Sequence, residues 1–336
     1  MSRRKIRRII LCAVSIISVF TIHLIHFKEE NESPSDTTTT VTSATYIQLT
    51  SEAETEAGQT AVGSTETRQA ETQTAAADER QHFKSAAFYN IDTDEILSEY
   101  NLRSKIAPAS LTKILTACVA LHYTDPQTEF RVGTELSLLN PRSSLCLISK
   151  GHRLTLSDLI KGLLMASGND AAYTIAVNVA RNVSKNELTD KAAVEYFCKL
   201  MNEFAQSIGM TDSNFTSPDG WDDDNQYSTV EDLLTLTRYA CGIEVISETV
   251  STKEKYVVFA SGQNVTWKNS NQLLHSDNKH YNEYAVGMKT GTTADAGNCL
   301  IALFNKNGNT YIGIICGAET SDLRYSEMNR IFEEYT

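Results

Sequence analysis

No cluster of metal-binding residues can be picked out of this chain. Its seven histidines are scattered, no H-E-x-x-H occurs and no other compact ligand spacing is present. That disfavours a metal-dependent hydrolase, and no metal or other cofactor is expected. Positive charge is also scarce: 30 Lys and Arg stand against 42 Asp and Glu, for a net −12. Five cations lie before residue 9 and residues 28–80 carry a net eight negative charges, which leaves −9 on residues 81–336. Such an acidic body argues against nucleic-acid binding. Internal repeats are absent, and the one long uncharged apolar run is residues 9–27.

Arg3, Arg4, Lys5, Arg7 and Arg8 precede that run. Its nineteen residues, at a helical rise of ~1.5 Å, span about 28 Å, close to the hydrocarbon thickness of a bilayer. The cations belong on the cytoplasmic side, so residues 1–8 read as a cytoplasmic tail, 9–27 as a transmembrane signal-anchor and the rest as external. The alternative is a cleaved signal peptide. Against it, no A-x-A-like site follows the run, which passes directly into Lys28-Glu29-Glu30, and Cys12 lies too early for a lipoprotein cysteine. Residues 28–80 are dominated by Thr, Ser, Ala, Glu and Gln, with few large apolar residues beyond Tyr46, Ile47 and Leu49. They cannot bury enough surface to offset ordering entropy and read as a disordered linker. Its r.m.s. reach is roughly 40 Å.

Residues 81–336 suffice for one large domain with a substantial core. Strands are expected over 82–92 and 95–100. A buried helix follows over 110–123, its start marked by Pro108. Further helices are expected over 155–165, 169–182, 186–208, 229–241 and 322–335. A strand over 286–292 leads to a hairpin over 298–318 that turns at Asn307-Gly308, the strongest short hairpin signal. Strands at both ends with helices between suggest an α+β domain with one antiparallel sheet covered by helices.

Three strings carry the chemistry: Ser110-Leu-Thr-Lys113, Ser167-Gly168-Asn169 and Lys289-Thr290-Gly291. Ser110 and Lys113 stand at i and i+3 of a helix start, on one face. A serine hydroxyl needs a base, and a lysine can serve if burial and a neighbouring cation such as Lys289 lower its proton affinity. The helix N-terminus adds free N–H groups and a positive dipole end. Ser167-Gly168-Asn169 falls at a turn between two helices, where side chains can enter a cleft. Lys289, Thr290 and Thr292 suit a terminal carboxylate, and Gly291 would let a substrate backbone approach. Taken singly, each string is also an ordinary helix start, helix cap or edge strand.

In this order and context, the three strings match the S-x-x-K, S-x-N and K-T-G motifs. The chain resembles the serine-type D-alanyl-D-alanine carboxypeptidases, low-molecular-weight penicillin-binding proteins of peptidase family S11. The resemblance covers essentially all of residues 81–336 and extends to Lys268-Asn-Ser-Asn271-Gln-Leu-Leu274. It also takes in Ser217-Pro-Asp-Gly220 through Ser228-Thr229-Val-Glu-Asp-Leu233. Two departures occur there: Ser217 replaces the usual Asn, and Gln226 stands where a His is common, which bears on loop geometry rather than on reaction class. Family members often carry a C-terminal β-domain and an amphipathic membrane helix. This sequence runs to Thr336 with neither, and the N-terminal anchor is expected to provide attachment.

The resemblance implies a β-lactamase/transpeptidase-like fold, an α/β sandwich with a five-stranded antiparallel sheet flanked by helices and a helical subdomain. It implies Ser110 as nucleophile, Lys113 as general base, Ser167 as proton relay, and Asn169 and Lys289 as further catalytic residues. Thr290, Gly291, Thr292 and Asn271 would bind substrate, with the backbone N–H groups of Ser110 and Thr292 as oxyanion hole. The implied substrates are peptidoglycan stem peptides ending in D-Ala-D-Ala, with β-lactams as inhibitors. The implied location is the bacterial cell membrane, with the catalytic domain on the wall side.

Three rival readings share these residues. A class A β-lactamase needs a deacylating Glu, and no Glu-x-x-x-Asn lies between Asn169 and Lys289. A transpeptidase differs only in its acceptor. A muropeptide- or β-lactam-sensing module would need a signalling domain, for which residues 1–8 leave no room. Among the seven cysteines, the Asn307-Gly308 turn would set Cys299 directly opposite Cys316. A cross-strand disulfide is therefore one expectation, and a pair of packed core thiols the other.

Overall fold

Strands, then a long helical block, then strands again follow one another along residues 82–336, which a computed structural model of the protein describes. β1 (Ser85–Asn90) and β2 (Glu95–Tyr100) form the first hairpin. A 3-10 turn, Ala109–Leu111, runs into α1 (Thr112–Tyr123), so the helix expected at residue 110 begins with a tighter turn. The short strands β3 (Glu129–Arg131) and β4 (Arg153–Thr155) pair with each other. After them come α2 (Leu156–Leu164), α3 (Asn169–Ser184), α4 (Asp190–Ser207), α5 (Val230–Cys241) and α6 (Glu244–Ser251). A second small hairpin, β5 (Glu254–Val258) with β6 (Asn264–Lys268), precedes β7 (Ala285–Thr293), β8 (Gly297–Lys306), β9 (Asn309–Ala318) and α7 (Ser321–Tyr335).

Threonine hydroxyls start four of these helices. Thr155, Thr189, Thr229 and Thr320 each accept the backbone N–H of the residue three positions on, satisfying a donor that the helix itself leaves free. Thr189 explains why α4 starts later than residue 186: Lys185 ends α3 in the left-handed conformation, with φ 54°, and the chain must re-enter a helix through a cap.

The main sheet has the order β2-β1-β9-β8-β7, antiparallel throughout, which is the five-stranded arrangement expected. Successive residues of its inner strands point to opposite faces. Cys299, Ile301 and Leu303 join the core under the helical block, while Leu300, Ala302 and Phe304 meet the aromatic side of α7. There the Phe304 and Phe332 rings stack with centroids 4.4 Å apart. Burial on both faces is why β8 and β9 read as nearly continuous apolar runs. Among the described residues no helix is long and apolar enough to cross a membrane. The proposed anchor at 9–27 and the linker at 28–80 lie outside the described residues.

The hairpin turns as expected, with positive φ at both Asn307 (53°) and Gly308 (81°), and its register runs from Lys306↔Asn309 to Leu300↔Ile315. A shift between Asn298 and Leu300 then places a bulge on β9, with Cys316 and Gly317 both facing Cys299. No disulfide forms: Cys299 and Cys316 are both free thiols, wholly buried. The hydrogen bond that Cys316 donates to Cys299, together with burial, pushes the Cys316 thiol well up and keeps it protonated. Alkylation of the denatured, unreduced protein followed by peptide mass analysis should therefore modify both residues. Recovery of a linked 299–316 peptide would contradict the structure.

Candidate active site

The turn that carries Ser110 is built under strain. Ala109, a non-glycine residue, takes φ +47° immediately before Ser110, a conformation that costs of order 1–3 kcal/mol and persists only where its surroundings enforce it. Two glycines make those surroundings. A Cβ on Gly220, itself at φ +85°, would fall 1.8 Å from the Ala109 carbonyl oxygen. A Cβ on Gly291 would fall 3.0 Å from the Ser110 nitrogen. Gly291, expected to admit a substrate backbone, packs here against the Ser110 turn, where the Cβ it lacks would also stand 3.0 Å from the Ala109 Cβ.

Clamped this way, Ser110 is half-buried, with its Oγ 2.7 Å from Lys113 Nζ. Lys113 is wholly buried and also donates to the Asp219 carbonyl oxygen at 2.8 Å. Burial lowers its proton affinity from 10.5 to about 8, against an opposing pull from the charges of Asp219 and Asp170. A free amine this close to the hydroxyl can accept its proton.

The second motif repeats the pairing. Ser167 sits between α2 and α3 at φ +59°, and its Oγ accepts from Lys289 Nζ at 2.9 Å. Lys289 is wholly buried too, and donates to the Thr290 carbonyl oxygen at 2.8 Å. Burial first, then the charges of Lys113 and Arg324, hold it well below the ordinary lysine range. β7 aims this lysine through a bulge between Ala285 and Gly287, followed by φ +102° at Met288. Each of the three motifs thus has a positive-φ residue at, or directly before, a side chain of its lysine–serine pair. Asn169 caps the arrangement from the start of α3, donating through Nδ2 to Asp219 Oδ2 at 2.6 Å and to Ser143 Oγ at 3.0 Å.

Beyond Gly291, Thr292 is exposed while Thr290 is buried and shares a hydrogen bond of 3.0 Å with the Ser270 hydroxyl. Asn271, expected to touch substrate, is wholly buried. Its Oδ1 accepts the Leu273 N–H and caps the turn Gln272–Leu274, so it shapes the loop that carries Ser270 rather than presenting a surface. One residue was missed. Arg324, from α7, donates through Nη1 to the Gly291 carbonyl oxygen, the Thr292 hydroxyl and the Cys299 carbonyl oxygen at 3.1–3.3 Å. A lone arginine in a C-terminal helix gives no sequence signal of this contact.

The two departures in the 217–233 tract fit each other. Gln226 Oε1 accepts from the backbone N–H groups of Thr216 and Ser217, and its Nε2 donates to the Trp221 carbonyl oxygen. Ser217 Oγ in turn accepts the Gly220 and Trp221 N–H groups. The pair ties down the loop that presses Gly220 onto Ala109.

The comparisons with known proteins agree with this geometry. The profile of the D-alanyl-D-alanine carboxypeptidase family, peptidase family S11, matches residues 69–320. The D-alanyl-D-alanine carboxypeptidase DacC of Escherichia coli is 33% identical over 249 residues, covering 70% of this chain and 57% of that protein. DacF of Bacillus subtilis is 28% identical over 253 residues, covering 74% and 61%. The chain therefore spans about three fifths of the length of these curated relatives. Among solved structures, the Streptomyces K15 DD-transpeptidase superposes with a TM-score of 0.68 at 27% identity, covering 75% of this chain and 96% of that one. The ampicillin-bound penicillin-binding protein D2 of Listeria monocytogenes gives 0.62 at 25% identity, covering 77% and 99%. With a family profile matched over residues 69–320 and three motifs brought together as two buried lysine–serine pairs, this chain belongs to the D-alanyl-D-alanine carboxypeptidases of peptidase family S11.

Proposed function

We propose that the chain is a serine carboxypeptidase that removes the terminal D-Ala from peptidoglycan stem peptides, and that it is acylated by penicillins. The observation that carries this reading is the buried amine of Lys113 at 2.7 Å from Ser110 Oγ, beside a second buried lysine paired with Ser167. In the first step Lys113 accepts the hydroxyl proton as Ser110 Oγ bonds to the carbonyl carbon of the penultimate D-Ala. Backbone N–H groups of Ser110 and Thr292 take the developing oxyanion, each such donor being worth ~2.7–4 kcal/mol. The C–N bond then breaks, with the proton delivered through Ser167, held by Lys289, to the departing D-Ala amine. Water, deprotonated by the same base, releases the shortened peptide and restores Ser110.

Lys289, Thr290, Thr292 and Arg324 receive the free carboxylate, and Asn169 orients the substrate amide or Lys113. A β-lactam offers a strained amide next to a carboxylate and enters the same path. Residues 9–27, preceded by five cations, anchor the protein in the cell membrane with residues 81–336 on the wall side, and 28–80 serve as tether.

Intact mass after exposure to benzylpenicillin, for the protein and for Ser110→Ala, tests the reading together with D-Ala release from diacetyl-Lys-D-Ala-D-Ala. A single-drug adduct absent from the variant, with D-Ala released, is the expected result. An adduct without release favours a transpeptidase or a binding module, and rapid drug turnover a β-lactamase.

A further inference from the structure

Asp219 lies in the loop between α4 and α5 and is 3% exposed. The segment around it runs along the first turns of α1: the Pro218 carbonyl accepts the Thr116 hydroxyl at 2.6 Å, and the Asp219 carbonyl accepts Lys113 Nζ at 2.8 Å. The Asp219 side chain faces the other way round the site. Its Oδ2 accepts Asn169 Nδ2 at 2.6 Å, and its Oδ1 accepts the Trp221 N–H at 3.2 Å. One buried residue thus binds the base through its backbone and the asparagine of the second motif through its carboxylate.

We propose that Asp219 is a positioning residue for acylation, one buried residue that holds Asn169 by its side chain and the Lys113 amine by its backbone carbonyl. This rests on the reading of Ser110 and Lys113 as nucleophile and base. The groups that bear on Lys113 are Ser110 on its own turn, Asp170 on α3, Cys146 on the loop before β4, Lys289 on β7, and Asp219. Burial pushes the Cys146 thiol well up, so it brings no charge. Of the two carboxylates, Asp219 acts more strongly on Lys113 than Asp170 does. Asp170 is also committed elsewhere, accepting the Cys146 and Ile148 N–H groups at 2.9 and 3.1 Å.

The sign follows directly. A nearby carboxylate favours the ammonium and delays loss of its proton, so removing that charge frees the amine at lower pH. In Asp219→Asn, the amide oxygen can still accept from Asn169 and the backbone carbonyl from Lys113, while the Trp221 N–H loses its side-chain acceptor. The rate of benzylpenicillin acylation, followed across about pH 5–10 in the full-length protein, should then keep its alkaline plateau within roughly tenfold. Its acidic limb should move down by roughly one pH unit. Asp219→Ser, which loses the Asn169 contact as well, should show the same downward move with a lower plateau. It also stands in if the Asn variant does not fold.

An acidic limb that stays in place or moves up in the folded variants overturns the proposal, whatever happens to the plateau. Wild-type protein that takes up no drug, or Ser110→Ala protein that does, overturns the proposed function and this inference with it. A wild type acylated at Ser110 with an unmoved limb in the variants defeats the inference alone.

Discussion

Replacing Lys113 with Met should slow acylation of Ser110 by roughly 10²–10⁴-fold, the usual worth of a general base, while making the protein more stable. The two effects have one cause. Lys113 carries an ammonium into a wholly buried position, and burial lowers its proton affinity from 10.5 to about 8. That difference corresponds to about 3 kcal/mol of folding free energy. Below about pH 8 the lysine is protonated whether folded or unfolded, so the whole penalty is present. Between about 8 and 10.5 the folded chain has released the proton and the unfolded chain still binds it, so stability rises with pH. Met fills much of the same volume without the charge. Urea unfolding at pH 7 should show a gain of up to about 3 kcal/mol, and the rise between pH 8 and 10.5 should shrink in the variant. A Met variant no more stable than the parent would mean that the orphaned Asp219 carbonyl costs as much as the buried charge did.

Gly220→Ala should be among the most damaging single substitutions available, although Gly220 lies outside the three motifs. The new methyl would fall 1.8 Å from the Ala109 carbonyl oxygen and 2.5 Å from its carbonyl carbon, on a residue at φ +85°. Left-handed backbone costs an L-residue about 1–2 kcal/mol, and overpacking a site that cannot relax adds about 1–3. Ala109 has little room to yield, because Gly291 presses on the other side of the same turn. The expected result is a loss of roughly 2–5 kcal/mol in unfolding free energy. Penicillin acylation should also be impaired in whatever protein folds. Gly308→Ala, where a Cβ would meet nothing within 4 Å at φ +81°, is the control for backbone strain without collision.

Much of this site could be read in the sequence because its chemistry is local. Ser110 with Lys113, Ser167 with Asn169, and Lys289 with Thr290 are each neighbours along the chain, and the Asn307-Gly308 turn fixes a register that its flanking residues obey. What escaped reading is what distance in sequence supplies. Arg324 reaches Gly291 from the terminal helix, and Asp219 reaches Lys113 and Asn169 from a loop whose own pattern announces only a turn. A motif shows which residues matter without showing what they touch: Asn271 caps the turn at Leu273, and Gly291 packs against the Ser110 turn. The pairs β3–β4 and β5–β6 and the helix α6 went unread for a plainer reason. Strands of three to five residues with a single buried side chain, such as Phe130 in β3, have no period to detect, and the eight residues of α6 barely exceed two helical turns.

The order β2-β1-β9-β8-β7 has a consequence for how the molecule comes into being. β1 sits inside the sheet, and Ser85 must wait for Cys316 as its partner. The Ser110 turn likewise waits for Gly220 and Gly291. Closing such long loops precedes any reward from the contacts they bring, which makes folding slow. A chain still emerging from ribosome or translocon therefore holds its first hairpin with an unsatisfied inner edge and its serine without a partner turn. The turn that carries Ser110 is finished only after β7 has joined the sheet, so a partly made chain holds Ser110 without its final surroundings.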